Sequence, residues 1–327
     1  MSAVPRKLGG FFYRDMLSSQ GQAFYDSILD RFLRQDYSGI IRLSARAPAT
    51  AAPDCLAAYE AVRDDHPECF YLGPQCRLIQ DAGQMMLKCH MLYSEQTISR
   101  IQLQLRKLIC QLVRGTADLT PVERECLVYE RIAKRLSYVN NHDFSDHNVV
   151  GPLLMSCGVC EGYNALLMLC LRRLGIPCIK AYGKSAGNTR HCWSLVWVQG
   201  TPVHCDVTWD TPYCGMVFFN YFNLSDAQIA RDHYKFQSNA IPECPTDSLN
   251  YCLLRNCRFL SQSAFSSYVR SRVQTLSRTP ILAQLPFAAT PEAILAAVNT
   301  ALHSCGSYPT AQVRINGTAR TAVILAA

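Results

Sequence analysis

Residues 156–167 read SCGVCEGYNALL, with Cys157 and Cys160 three apart where an apolar helix begins. Three chemistries use this spacing. It serves a thiol–disulfide pair, half of a metal site, or one nucleophile beside a packing thiol. The flanking sequence has to decide between them.

Downstream, residues 158–178 keep a helical apolar period up to Gly175, and Pro177 stands just beyond. That pattern predicts a helix whose first turn holds Cys160. The period then drops to two. CIKAYG (178–183), HCWSLVWVQG (191–200) and TPVHCDVTWD (201–210) predict successive strands, the last two joined by a tight turn at Gln199-Gly200. MVFFNYFNLSD (216–226) predicts a further strand running into a short helix.

A redox pair wants a strand directly before the motif, within a compact βαβ unit. Here HDFSDHNVVGPLLM (142–155) reads as a loop. A zinc site would join Cys157 and Cys160 to donors among His191, Cys192, His204 and Cys205. These last four lie in strand patterns, where adjacent side chains point to opposite faces and two neighbours cannot share one ion. The third reading needs a thiolate, a base for its proton and a group that orients the base. Cys160 in a first helical turn favours the thiolate through the helix dipole. His191 follows on one predicted strand and Asp206 on the next, across the turn, where antiparallel pairing brings imidazole and carboxylate together.

With these three blocks in this order, the chain resembles the transglutaminase-like superfamily of papain-like fold. GVCEGY (158–163) is similar to its nucleophile block, RHCWSLVWV (190–198) to its histidine block and VHCDVTWD (203–210) to its Asp-x-Thr-Trp block. The resemblance reaches back to FFYRDMLSSQGQAFYDSIL (11–29), which is similar to the helical N-terminal extension of some bacterial members. It reaches forward to YFNLSDAQIARDH (221–233), and so covers most of residues 10–235. It implies an α+β fold: a papain-like transglutaminase core, with a nucleophile helix packed on an antiparallel sheet. It implies catalytic roles for Cys160 as nucleophile, His191 as base and Asp206 as orienting acid, and it places His233 toward the same side.

Cys157 then becomes a packing thiol, close enough to trap a Cys160 sulfenic acid. Tyr138, in the polar loop SYVNNHDFSDHN (137–148), is the expected oxyanion donor, with Asn140 and Asn141 as alternatives. Trp193 shares a strand face with His191, so Trp193 and Trp209 are expected to line the site or pack in the core. Glu161 is expected to cap the helix start and Tyr163 to pack. His204 shares a strand face with Asp206 and is a rival for the base.

The rest of the chain sets the frame. Residues 22–35 place Phe24, Ile28, Phe32 and Leu33 on one helical face, and a second short helix starts near Cys55. Residues 69–72 read as extended, and 76–94 as a strand pair around Asp81-Ala82-Gly83. Residues 95–115 form an amphipathic pattern through Ile98, Ile101, Leu105, Leu108 and Leu112. Thr120, Pro121 and Glu123 predict a capped helix start. Beyond about residue 236 a strand–helix–strand–helix–strand–strand order predicts a small α/β unit. The expected organisation is therefore an N-terminal mostly helical region over 8–118, a catalytic core over 119–235 and a C-terminal unit over 236–327.

Composition excludes several classes. With 49% hydrophobic and 17% charged residues the chain reads as globular. The net charge of +7 is spread without a Lys/Arg run, which argues against nucleic acid as a partner. The start lacks a signal-peptide core, and no apolar run approaches about 18 residues, so a cytoplasmic protein without a membrane span is expected. Seventeen cysteines, an odd number in a long chain, read as mostly reduced, buried thiols. No EF-hand spacing occurs, and neither a cofactor nor a metal is expected. The expected partner is a peptide or protein substrate. The expected reaction is thioester-forming acyl transfer ending in hydrolysis, with amine transfer or a non-catalytic binding role as alternatives.

Overall fold

A computed structural model describes residues 12–42, 52–81, 84–141, 143–212, 215–235, 241–276, 279–306 and 310–326. The chain start before residue 12 and the turn at Ala82-Gly83, both read above, lie outside the described residues.

The first third holds α1 (Phe12–Asp15), α2 (Ser19–Leu33), β1 (Ile40–Arg42), α3 (Ala52–Asp65), β2 (Leu72–Asp81), β3 (Gln84–Met91) and α4 (Glu95–Leu112). The middle holds α5 (Pro121–Arg135), β4 (Ser137–Tyr138), a 3-10 turn (Phe144–His147), α6 (Val150–Leu154), β5 (Cys157–Gly158) and α7 (Cys160–Arg173). It continues with β6 (Cys178–Ser185), β7 (Thr189–Val198), β8 (Thr201–Cys205), α8 (Asp226–Ile229) and β9 (His233–Lys235). The last part holds α9 (Tyr251–Leu254), α10 (Gln262–Arg272), β10 (Ile281–Gln284), α11 (Pro291–His303), β11 (Ala311–Asn316) and β12 (Thr321–Ala326).

Helix α7 is the central element. Leu166, Leu167, Met168, Cys170 and Leu171 are all buried, and a helix apolar on most sides belongs inside a protein. Helices α4 and α5 pack on one side of it, and β6 and β7 on the other. The apolar face of α4 reads as expected, with Ile98, Ile101, Leu105, Leu108 and Leu112 buried. Helix α5 starts in the capping box of Thr120 and Glu123, with Pro121 in its first turn. Gly175 ends the α7 region at φ +73°, a left-handed position that glycine takes without a Cβ penalty.

The sheet that carries the site has the strand order β8-β7-β6-β9 with every pair antiparallel. Its two faces serve different layers. Val196 and Val198 join the core around α7, while Trp193, Leu195 and Trp197 join a smaller cluster with Ile179, Tyr221 and Leu224. Gln199 and Gly200 both take positive φ, 52° and 81°, as a two-residue hairpin turn requires.

Four local expectations are corrected. Leu33 is 73% exposed although Tyr25 and Leu29 on its own row are buried, because it is the last residue of α2, where the helix runs out past the core. Residues 69–71 are turn, and strand begins at Leu72. Residues 216–226 form an irregular crossing tied by single bridges and by backbone bonds to Asp210, not a strand. Asp206 lies just past the end of β8, at the start of a turn.

Helices α10 and α11 cover the β10-β12-β11 sheet around a separate apolar cluster containing Phe265, Val269, Ile294, Val298 and Ile324. A patch of Phe218, Val323 and Leu325 joins this layer to the crossing. Among the described residues no helix is long and apolar enough to cross a membrane, and the cysteines are free thiols.

Candidate active site

Cys160 is the first residue of α7, and its N-cap, Val159, offers no side-chain acceptor. The first-turn N–H groups of a helix lack intrahelical partners, so the sulfur sits at the positive end of a dipole. Asn164, one turn on, is fully buried. Its Nδ2 donates to the Cys160 carbonyl at 2.8 Å and to the Cys192 carbonyl at 3.0 Å, while its Oδ1 accepts from Ser194 Oγ at 2.5 Å. One amide therefore stitches the nucleophile end of α7 to β7. The sequence signal for it was a polar residue four places after Cys160 on an otherwise apolar helix.

His191 stands on β7, opposite Gly183 of β6. Its Nε2 lies 2.6 Å from Asp206 Oδ2, which leaves Nδ1 for the hydrogen bond with the Cys160 sulfur. Asp206 is fully buried and accepts on every side. Its Oδ1 takes the Thr208 N–H at 2.9 Å in a local Asx turn, and its Oδ2 takes His191 and also His233 Nε2 at 2.9 Å. Tyr129 OH holds the same turn from α5, bonding the Asp206 carbonyl at 2.8 Å and Asp210 Oδ2 at 2.7 Å. The structure thus brings Cys160, His191 and Asp206 into one connected group.

The charges support one another. The Cys192 thiol donates to the Cys160 sulfur, and this outweighs burial. The His191 hydrogen bond and charge and the Cys192 N–H add to it, bringing the Cys160 pKa down to about 5. Burial opposes a charged His191, but the Asp206 carboxylate and the Cys160 thiolate overcome it and raise the imidazole to about 10. Burial likewise opposes a charged Asp206, yet the two histidines hold it well below the usual carboxylate range. Across neutral pH the resting state is thiolate beside imidazolium.

Aromatic rings wall the imidazoles. Trp193 is fully buried and stacks 6.2 Å from His191, so it backs the site from within. Half-buried Trp209 lies 5.9 Å from His191 and 4.6 Å from His233. His204 is not placed as a base: it accepts from Trp193 Nε1 at 2.9 Å and faces Asp226 at 2.9 Å. Tyr138 is 53% exposed on β4, and the Cys160 charge helps to raise its phenol pKa after burial has done so. Asn140 and Asn141 are exposed on the same loop, and the Asn141 N–H bonds Asp146 Oδ2 at 2.7 Å.

Two expectations about the helix start are corrected. Glu161 does not cap it but pairs with His147 of the preceding 3-10 turn. The thiol beside Cys160 is Cys192, not Cys157, because Cys157 leaves on β5 to pair in parallel with Ser137. Tyr163 packs as expected, with its ring buried. Among the described residues two trios of donors lie close enough to share an ion, His191–Asp206–His233 and His204–Asp226–Cys244. In the first, both histidines bond Asp206; in the second, His204 bonds Asp226, which also takes the Cys244 backbone N–H.

A cavity of about 450 Å³ is lined by Glu161, the residue after Cys160, and by His147, while Cys160, His191 and Asp206 do not line it. Arg63, Asp64, Phe144 and Lys180 also line it, so its walls mix both charges with aromatic surface. Nothing in the sequence pointed to it, because its lining comes from five separate stretches of chain between Arg63 and Tyr182.

Comparison with known proteins follows the same lines. Residues 108–207 match the family model of the transglutaminase-like superfamily, a stretch that contains Cys160, His191 and Asp206. The match covers this core, under a third of the chain, and the fold is α+β. The match is narrower than the resemblance over 10–235 read above. A solved structure described as a TGase is similar over 45% of this chain and 47% of that one, at 14% identity and a TM-score of 0.30. A structure described as a candidate cysteine protease from Cytophaga hutchinsonii is similar over 44% and 64%, at 12% identity and 0.28. This chain therefore spans less than two thirds of either. No curated protein sequence matches it.

Proposed function

We propose that this protein is a thiol-dependent acyl-transfer enzyme acting on a peptide or carboxamide, with Cys160, His191 and Asp206 as its catalytic triad and water as the usual acceptor. One observation carries the reading: His191 hydrogen-bonds the Cys160 sulfur on one side and a buried Asp206 carboxylate on the other. The Cys160 thiolate adds to the carbonyl carbon and forms a tetrahedral oxyanion. The oxyanion collapses to a thioester as the C–N bond breaks, and the His191 proton goes to the leaving amine. Water, deprotonated by His191, then attacks the thioester and releases the acid and the thiolate. The Cys160 N–H at the open helix start and the Tyr138 hydroxyl are the proposed oxyanion donors.

The cavity lined by Glu161 and His147 is the proposed seat for a part of the peptide away from the scissile bond. Its charged walls support hydrolysis over amine transfer, since hydrated surface keeps water at hand to resolve the thioester. The division of the chain near residue 236 belongs to the same proposal, and the separate apolar cluster of the C-terminal layer supports it.

The test is selective alkylation. Iodoacetamide near pH 6, with every cysteine counted by mass spectrometry, is expected to modify Cys160 first, because its thiolate is populated there while ordinary thiols are protonated. Labelling of Cys160 at the pace of the other cysteines overturns the reading. A panel of peptide and glutamine-amide substrates, run with and without a primary amine, then separates hydrolysis from transfer.

A further inference from the structure

We infer that His233 is a positioning residue of the acyl-transfer centre: a permanently protonated second imidazole that holds Asp206 ionised and loosens its hold on the His191 proton. The inference rests on the triad reading above and gives a role to a residue outside it.

The argument begins with hydrogen-bond geometry. His233 is 1% exposed, on the edge strand β9, one strand beyond β6 from His191. Its Nε2 lies 2.9 Å from Asp206 Oδ2 and its Nδ1 lies 2.6 Å from Asp232 Oδ1. A neutral imidazole has one N–H and one lone pair, so one of these contacts would set a lone pair against a carboxylate oxygen. The alternative, a protonated carboxyl, is disfavoured because the other neighbours of both acids are donors, and hydrogen bonds donated to a carboxylate favour its charged form. Asp206 already takes Thr208 N and His191, and Asp232 Oδ2 takes Tyr221 OH at 2.6 Å. Both carboxyls accept, so both His233 nitrogens donate and the ring is an imidazolium.

The neighbour His204 shows the contrast. Its Nδ1 accepts from Trp193 and only Nε2 faces an acid, Asp226, so one proton suffices and the ring is neutral. Among the described residues, neutral His204 lies near His233 but carries no charge to oppose it. Asp206 and Asp232 attract its charge, and the His191 ring at 5.3 Å opposes it. Trp193, Trp209 and Tyr221 enclose it with their rings. Lys235 is engaged with Asp226 on the His204 side.

The consequence follows from a shared acceptor. His191 and His233 both bond one oxygen of Asp206, so each weakens the pull the carboxylate exerts on the other. The buried chain reads Asp232⁻, His233⁺, Asp206⁻, His191⁺, Cys160⁻. Removing the positive charge at 233 leaves Asp206 to His191 alone. His191 then keeps its proton to higher pH and gives it less readily to a leaving amine.

Nuclear magnetic resonance of the full chain with labelled histidines tests this. In the wild type the His233 ring is expected to stay protonated across neutral pH, with no titration near the ordinary value of about 6.5. His233→Gln keeps a neutral donor near the Nε2 position, and it is expected to raise the His191 midpoint by about one unit or more. Asp232→Asn, a milder change, is expected to bring a His233 titration into the neutral range. In both variants iodoacetamide should still single out Cys160, and a cooperative melt verifies folding. A wild-type His233 that titrates like a free imidazole, or a His191 midpoint unmoved in both folded variants, overturns the role of His233 alone. If iodoacetamide does not single out Cys160 in the wild type, the triad reading falls first and this inference with it.

Discussion

Around β7 and the 206–210 turn the protein buries His191, His204, Asp206, Asp210 and His233 among aromatic rings. The layer of α10, α11 and their three strands buries Phe265, Val269, Ile294, Val298 and Ile324, and among its described residues only Gln284 and Thr321 are buried polar side chains. An apolar interior needs only volume and shape. A polar interior needs every donor and acceptor matched, and it stays dependent on protonation. The two regions should therefore fail in different ways. Damage to the C-terminal layer should cost stability at any pH, while damage near β7 should change reactivity and pH response.

The largest expected effect falls on reactivity. Cys160→Ala should lower turnover by roughly a thousandfold or more while leaving the melting temperature close to wild type. Activity assays beside thermal melts check both halves, and a large loss of Tm would blur the contrast. Next comes the apolar layer. Ile294→Ala removes a fully buried side chain and should cost about 2–5 kcal/mol. Urea melts at acid and alkaline pH should give the same loss, and a pH-dependent loss would break the distinction.

Gly183→Ala probes the polar side by packing. A Cβ there would meet Tyr234 O at 2.3 Å and the Trp193 ring at 2.7 Å. Strain of about 1–3 kcal/mol is expected, with slower Cys160 alkylation because Trp193 backs His191. Unchanged alkylation in a destabilised variant would separate the Trp193 wall from the chemistry.

Buried carboxyls give a pH signature of the next size. Burial pushes Glu125 and Asp210 up to about 7 against their hydrogen bonds. A carboxyl raised in the folded state contributes stability below its ordinary pKa and loses it as pH rises through the folded value. His191, raised to about 10, has the same sign over a higher window. Asp206 and Asp226, both lowered, have the opposite sign and lose stability as pH falls below the carboxylate range. Cys160, lowered to about 5, also has that opposite sign and offsets part of the loss above pH 5. The melting temperature should therefore peak at about pH 4, where the raised carboxyls begin to lose stability and the lowered ones are already ionised. Glu125→Gln should recover on the order of 2 kcal/mol at pH 8 and little at pH 5. Equal effects at the two values would refute the assignment. The smallest effect is local: Thr120→Ala removes the α5 capping box and should cost about 1 kcal/mol in a denaturant melt, with alkylation unaltered.

What the sequence alone determined was whatever a short window encodes. The helical period of 95–112, the capping box at Thr120, the hairpin at Gln199-Gly200 and the three motif blocks are local patterns, and each is present in the structure. Tertiary structure alone decided which side chains become neighbours across chain distance. It set Cys192 rather than Cys157 against Cys160, joined Asn164 to β7, gave Asp206 a second histidine and built the cavity beside Glu161. The physical reason is strand order. Alternation tells which face a residue takes, but which strand lies beside which depends on how the whole chain covers its apolar surface.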